Sequence, residues 1–215
     1  MKKESKKFIY LGLIFVVIWA INILFISPNL PLIFGENLSP LIRTIIKFII
    51  WCGYGYYFIT LYNKDLSLKK DELFKMKNIA FTIKLLIILV IAALTSMFIH
   101  HGHFHINDFT LDDFFNKFLL VGIEEELVFR ALILNGLSKK NSFLKASLIT
   151  SFLFAIIHVP SYINLELELL VIITNCLKIM VISSLYNYIF KETKSIWPIV
   201  IIHSAWDLLF FLFMA

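Results

Sequence analysis

Apolar residues along this chain fall in long blocks, separated by short polar stretches, rather than in the alternating or amphipathic periods of a soluble fold. A helix needs about 20 residues to cross a hydrocarbon core of ~30 Å. Blocks of roughly that length are read at 8–27, 40–62, 79–99, 113–135, 143–159, 168–190 and 196–214. The pattern therefore predicts an all-α, polytopic transmembrane helical bundle of about seven spans. No alternating ten-residue segments occur, which excludes a membrane β-barrel. The first block has a long apolar core and no small-residue cleavage site before Pro28, so it reads as a retained span and not as a signal peptide.

The charges punctuate these blocks. Lysines crowd the N-terminal segment (Lys2, Lys3, Lys6, Lys7), the second loop (Lys64, Lys69, Lys70, Lys75, Lys77), the fourth (Lys139, Lys140, Lys145) and the sixth (Lys191, Lys194). The first, third and fifth loops carry neither Lys nor Arg. Under the positive-inside rule this alternation places the N-terminus in the cytoplasm and the C-terminus outside, in a multi-pass protein of the cell membrane. Arg43, Lys47 and Lys117 sit toward the outer ends of spans and are expected to snorkel to the interface. The net charge of +5 is thus a property of loops facing an anionic leaflet, which points to membrane lipid as a partner and away from nucleic acid. Two cysteines, Cys52 and Cys176, each lie within a span, and no structural disulfide is expected.

No linker, repeat or low-complexity tract divides the chain, so residues 1–215 read as a single integral membrane domain whose chemistry lies among its spans. In "VGIEEELVFRAL", residues 121–132, Glu125, Glu126 and Arg130 form E-E-x-x-x-R. Glu126 and Arg130 stand at i and i+4 with the acid first, the favourable order for an ion pair on a helix. Glu125 lies about 100° round the helix, so one carboxylate can be neutralised while the other points elsewhere. Phe154 and His158 share one face of the fifth span as F-x-x-x-H, and His203 and Asp207 share one face of the seventh as H-x-x-x-D. Taken singly, an intramembrane His or a Glu–Arg pair is as often helix-to-helix glue as chemistry. Taken together, a free Glu, two His and an Asp on three spans can converge and supply a base, a proton shuttle and electrophilic groups, a set suited to attack of water on an amide.

These three motifs, in this order on successive spans, resemble the CPBP family of CAAX protease and bacteriocin-processing membrane proteins, also called the Abi family. The segment "FKETKSIWPIVIIHSAWD" before and through the third motif is similar to the family pattern of a short basic loop and a Trp-Pro step. The resemblance covers roughly residues 113–211. It implies a glutamate-type intramembrane endopeptidase that needs neither metal nor cofactor and acts on a hydrophobic or membrane-associated peptide or protein. Bacteriocin or pheromone precursor processing, or self-immunity, is the implied setting. By position, Glu125 is the implied general base, assisted by His158. His203 and residue 207 are implied to stabilise the oxyanion, and Glu126 with Arg130 to hold the site together.

Three positions depart from the family pattern. Asp207 stands where Asn also occurs, and an ionised Asp cannot donate to an oxyanion, so it is expected to orient and charge His203. Ala131 replaces the usual glycine after the arginine. Glu124 is an extra acid, for which Lys178 in the sixth span is a candidate partner. The loop "HHGHFHIND" places four histidines within six residues, a composition that can chelate Zn or Cu but equally suits a wet interfacial loop. Rival readings are a zinc protease ligated by Glu125, His158 and His203, a non-catalytic bacteriocin immunity or scaffold protein, and a proton-coupled transporter. The chain has no H-E-x-x-H, and no inverted repeat or glycine-broken helix pair.

Overall fold

The computed structural model describes residues 3–108, 118 and 120–214; among them the chain is helical throughout its ordered elements, with no strand. The helices are α1 (Lys3–Ile21), α2 (Leu30–Phe34), α3 (Ser39–Phe48), α4 (Tyr54–Leu61), α5 (Lys70–Leu73), α6 (Ile79–His101), α7 (Leu120–Glu126), α8 (Asn135–Ser138), α9 (Phe143–Ile156), α10 (Val159–Asn164), α11 (Leu169–Thr193) and α12 (Ile196–Met214). Six stretches of the described residues are long and apolar enough to cross a membrane: Lys6–Phe34, Ser39–Leu61, Ile79–His101, Phe143–Asn164, Leu169–Thr193 and Ile196–Phe213. They coincide with six of the seven expected blocks. Residues 113–117 and 119 of the remaining block lie outside the described residues.

The first span runs further than its hydrophobic block suggests, to Phe34 rather than residue 27. Pro28 and Pro31 lack the backbone N–H that an α-helix needs. The chain passes them by widening to a π-turn over Asn22–Ile26 and tightening to a 3-10 turn over Ser27–Asn29. A second π segment, Ile49–Gly53, joins α3 to α4, and a third, Leu127–Leu134, comes directly after α7. The fourth block is therefore not the regular α-helix that its spacing predicts.

That third π segment is the axis of the bundle. All eight of its residues are buried, and α1, α4, α7, α8, α9, α11 and α12 all pack against it. Aromatic rings fasten the first two spans to it: Phe15 meets Trp51 at 4.7 Å and Phe129 at 6.3 Å, and Trp19 meets Trp51 at 5.2 Å. Around this axis α9 lies along α11 and α6 along α12. Their outer faces expose Ile87, Ile88 and Ile91 on α6 and Leu177, Val181 and Leu185 on α11, an apolar surface suited to lipid.

Gly122 lets α7 and α12 cross closely, since a Cβ there would collide with Ser204 Oγ and the Val200 carbonyl. At one end of the bundle the lysine-rich loops are tied together. Lys7 pairs with Asp65, Lys139 Nζ donates to the Lys64 carbonyl, and Ser195 Oγ donates to the Lys75 carbonyl at 2.6 Å. The hydrogen bond from Lys7 holds the Asp65 carboxyl below its ordinary range. At the other end Gly102, with φ of 72°, ends α6 and begins the histidine loop, which Asn107 fastens to α12 through the carbonyls of Phe211 and Leu212.

Candidate active site

Three consecutive acids leave the fourth span in three directions. Glu124 is 1% exposed and pairs with Lys47 Nζ of α3 at 2.9 Å. The sequence expectation for both residues is thereby corrected: Lys47 turns inward instead of snorkelling and is the partner of Glu124, while Lys178 lies exposed on α11. Glu126 is fully buried, and its Oε1 accepts from Arg130 Nη1 at 3.0 Å and from His203 Nδ1 at 2.7 Å. The i, i+4 pair read from the sequence thus forms despite the π geometry of the intervening turn. Glu125 alone of the three lines a cavity, and its side chain is 13% exposed.

Arg130 is held from several sides. Beyond Glu126, its Nη2 donates to the hydroxyl and carbonyl oxygens of Ser183 at 2.8 and 3.3 Å, and its Nε donates to Asn187 Oδ1 at 3.2 Å. Asn187 in turn donates to Ser147 Oγ and Ser151 Oγ, both at 3.0 Å, which links α11 to α9. The guanidinium also rests over the Phe154 ring at 4.5 Å from its centroid. Sequence reasoning missed Ser183, Asn187, Ser147 and Ser151. Their signal was nonetheless present as S-x-x-x-N in the sixth span and S-x-x-x-S in the fifth, each pair on one helical face.

The cavity has a volume of about 180 Å³ and lies between α7, α9, α11 and α12. Glu125, His158, His203 and Asp207 supply its polar lining, and Phe154, Tyr186, Trp206 and two isoleucines, Ile179 and Ile182, supply much of its apolar wall. His158 occupies the turn between α9 and α10, just ahead of Pro160. Its Nδ1 lies 2.8 Å from the Phe154 carbonyl. A carbonyl only accepts, so Nδ1–H donates to it and Nε2 is the ring nitrogen turned away from that bond. His203 is oriented in the same manner by Glu126, so the orienting partner is Glu126 and not Asp207. Its Nε2 stands 3.5 Å from Asp207 Oδ2 and 3.8 Å from Glu125 Oε2. Counting from Ile196 at 1.5 Å per residue, His203 and Asp207 lie roughly 10 and 16 Å along α12, in the middle part of its apolar stretch Ile196–Phe213.

The six residues singled out by sequence are therefore brought into one neighbourhood: Glu125, His158, His203 and Asp207 on the cavity, Glu126 and Arg130 behind its wall. The histidine loop is a separate feature. The rings of His100, His101, His103 and His105 cluster with centroids 4.8–6.4 Å apart, while His101 Nε2 meets the Phe213 carbonyl and His105 Nε2 meets Asn107 Oδ1. Among the described residues, no group of three His, Cys, Asp or Glu is placed to hold a metal ion. Both cysteines are free.

Compared with known proteins, residues 79–209 match the family described as type II CAAX prenyl endopeptidase Rce1-like. The match begins at Ile79 and so takes in α6, which lies before the stretch whose motifs carry the resemblance. No curated protein and no solved structure matches the chain. The matched stretch exceeds half of the 215 residues and contains the acids of α7, the histidine of the turn after α9 and the His–Asp pair of α12, and on that ground the chain belongs to the Rce1-like family of type II CAAX endopeptidases, multi-pass membrane proteases.

Proposed function

We propose that this protease hydrolyses a peptide bond of a hydrophobic or membrane-associated peptide with water activated by Glu125. The observation that carries the reading is the separation of the three acids: Glu124 and Glu126 face cationic or hydrogen-bonding partners within the protein, and Glu125 faces the cavity. A general base must reach the proton that it abstracts, and Glu125 is the carboxylate of the three with that access.

In this mechanism Glu125 takes a proton from water, and the hydroxide attacks the scissile carbonyl. His203 in its imidazolium form, with Nδ1–H held by Glu126, presents Nε2–H to the developing oxyanion. Asp207 beside that nitrogen favours the charged ring. His158, with Nδ1–H on the Phe154 carbonyl, accepts at Nε2 the proton that Glu125 took from water and gives it to the leaving nitrogen as the amide C–N bond breaks, which restores the Glu125 carboxylate. Arg130 neutralises Glu126 and keeps it in place, and no metal enters the cycle. The apolar wall of Phe154, Ile179, Ile182 and Trp206 suits a hydrophobic segment of the kind found in a bacteriocin or pheromone precursor, and processing or self-immunity is the setting we assign.

The test is cleavage of a peptide library by the purified protein, with and without EDTA or phenanthroline. Cleavage that survives the chelators supports the reading. Loss on chelation, recovered with Zn²⁺, would make Glu125, His158 and His203 metal ligands and overturn it. The orientation that goes with the proposal, N-terminus inside and C-terminus outside, rests on the lysine alternation. Reporter fusions after Lys77 and Lys140 are expected to read cytoplasmic, and one after Phe109 external.

A further inference from the structure

We infer that the Lys47–Glu124 ion pair sets the rotational register of α7 and so selects which of three adjacent carboxylates serves the cavity. Neither residue belongs to the three motifs, and Lys47 lies outside the matched residues 79–209. The inference rests on the reading of Glu125 as the base.

Successive side chains on a helix point about 100° apart, so Glu124, Glu125 and Glu126 compete for any one direction. Glu126 is anchored to His203 of α12 and, through Arg130, to Ser183 and Asn187 of α11. That anchor by itself leaves the segment a pivot. Immediately after it the chain enters the π segment Leu127–Leu134, whose wider i→i+5 turn absorbs a one-residue shift between the helical turns on its two sides. Gly122 limits how far α7 can turn against α12, since a Cβ there would collide with Ser204 Oγ, but it supplies no polar bond that fixes the direction of the acids. Glu124 supplies the second anchor on another side: its carboxylate is 2.9 Å from Lys47 Nζ and 1% exposed, and Lys47 lies two residues before the π segment Ile49–Gly53 that packs on α7. With Glu124 bound to α3 and Glu126 to α12, Glu125 is left facing the cavity. The pair is a positioning device, since Lys47 does not line the cavity.

A buried ion pair can often be exchanged for apolar side chains of similar volume without loss of stability. Lys47→Met/Glu124→Leu therefore separates a positioning role from a merely structural one, and it avoids the unpaired buried carboxylate that Lys47→Met alone would create. Against the peptide cleaved by the wild type, the double variant is expected to keep its melting temperature and its KM within about twofold while kcat falls about 10–100-fold. Lys47→Arg, which preserves the cation, is expected to stay within about threefold of wild type. An activity-independent arm uses Glu125→Cys in a Cys52→Ser/Cys176→Ser background, labelled with a charged methanethiosulfonate. Labelling is expected to slow about tenfold when Lys47→Met/Glu124→Leu is added, because residue 125 then leaves the cavity. A double variant with wild-type kcat and unchanged labelling overturns the inference. A wild type that cleaves nothing removes the functional reading instead, and the labelling arm alone then decides the register.

Discussion

The two flanks of the fourth span treat the same kinds of polar group in opposite ways. On the α11 flank, Arg130 gives its hydrogen bonds to Glu126, Ser183 and Asn187, and Asn187 passes the network on to Ser147 and Ser151. On the cavity flank, Glu125 and Asp207 approach the same nitrogen of His203 at 3.8 and 3.5 Å, both beyond an ordinary charge-assisted hydrogen bond. Exposure divides the same way, with 0% for Glu126 and Arg130 against 13% for Glu125 and 27% for Asp207. Within an apolar layer, groups paired at short range hold spans together, and those paired at longer range and partly exposed remain open to a bound molecule. The contrast teaches that adjacency in sequence says little about surroundings: Glu125 and Glu126 are neighbours, one on a cavity and one fully buried against Arg130 and His203, as each helix face dictates.

The sharpest break in this contrast is predicted for Glu126→Gln. It leaves the Arg130 guanidinium buried without its counter-charge, and a loss of roughly 3–5 kcal/mol in stability is expected, visible as reduced melting temperature and yield in detergent. On the cavity flank, Asp207→Ala is expected to lower the cleavage rate by about 10²–10³-fold, the scale of one lost oxyanion-stabilising group, with the fold intact. Asp207→Asn should retain substantial activity, because an amide beside His203 Nε2 can itself donate to the oxyanion. If Asn and Ala at this position lose activity equally, the role given to Asp207 is wrong.

A smaller effect is expected from Asn187→Leu, which removes the acceptor of Arg130 Nε and the donor to the two serines. Thermal unfolding should report a cost of about 1–3 kcal/mol, with KM unchanged, since Asn187 does not line the cavity. The smallest effect of all is predicted for chelators, which should leave both the melting curve and the cleavage rate where they were.

Much of the architecture was legible in the sequence. Span positions depend on hydrophobic length alone, and six blocks reappear within a few residues, except where Pro28 and Pro31 sit in a helix that continues past them. The members of the candidate site were legible wherever a polar residue was costly enough to stand out in an apolar run, and Glu125, Glu126, Arg130, His158, His203 and Asp207 do lie in one neighbourhood. Partnership remained hidden. Ser183, Asn187, Ser147 and Ser151 are small and cheap to place in a span, so although each pair shares a helical face, the spacing does not say that it cradles Arg130. Lys47 looked like an interfacial lysine because its sequence neighbours are apolar; its carboxylate partner is 77 positions away, as the pairing with Glu124 shows. The π geometry of Leu127–Leu134 was equally invisible, because hydrophobic periodicity does not distinguish one extra residue per turn in a segment buried on every side.

The most direct test of the assignment is the cleavage rate of Glu125→Gln measured beside its melting curve. Glutamine keeps the shape of the side chain and its place on the cavity wall but cannot take a proton from water. The expected result is a melting temperature equal to that of the wild type and a rate lowered by about 10²–10⁴-fold, the contribution of a positioned general base. A Glu125→Gln variant that cleaves at the wild-type rate, or one that loses its fold as Glu126→Gln is expected to, would contradict the assignment of the chemistry to Glu125.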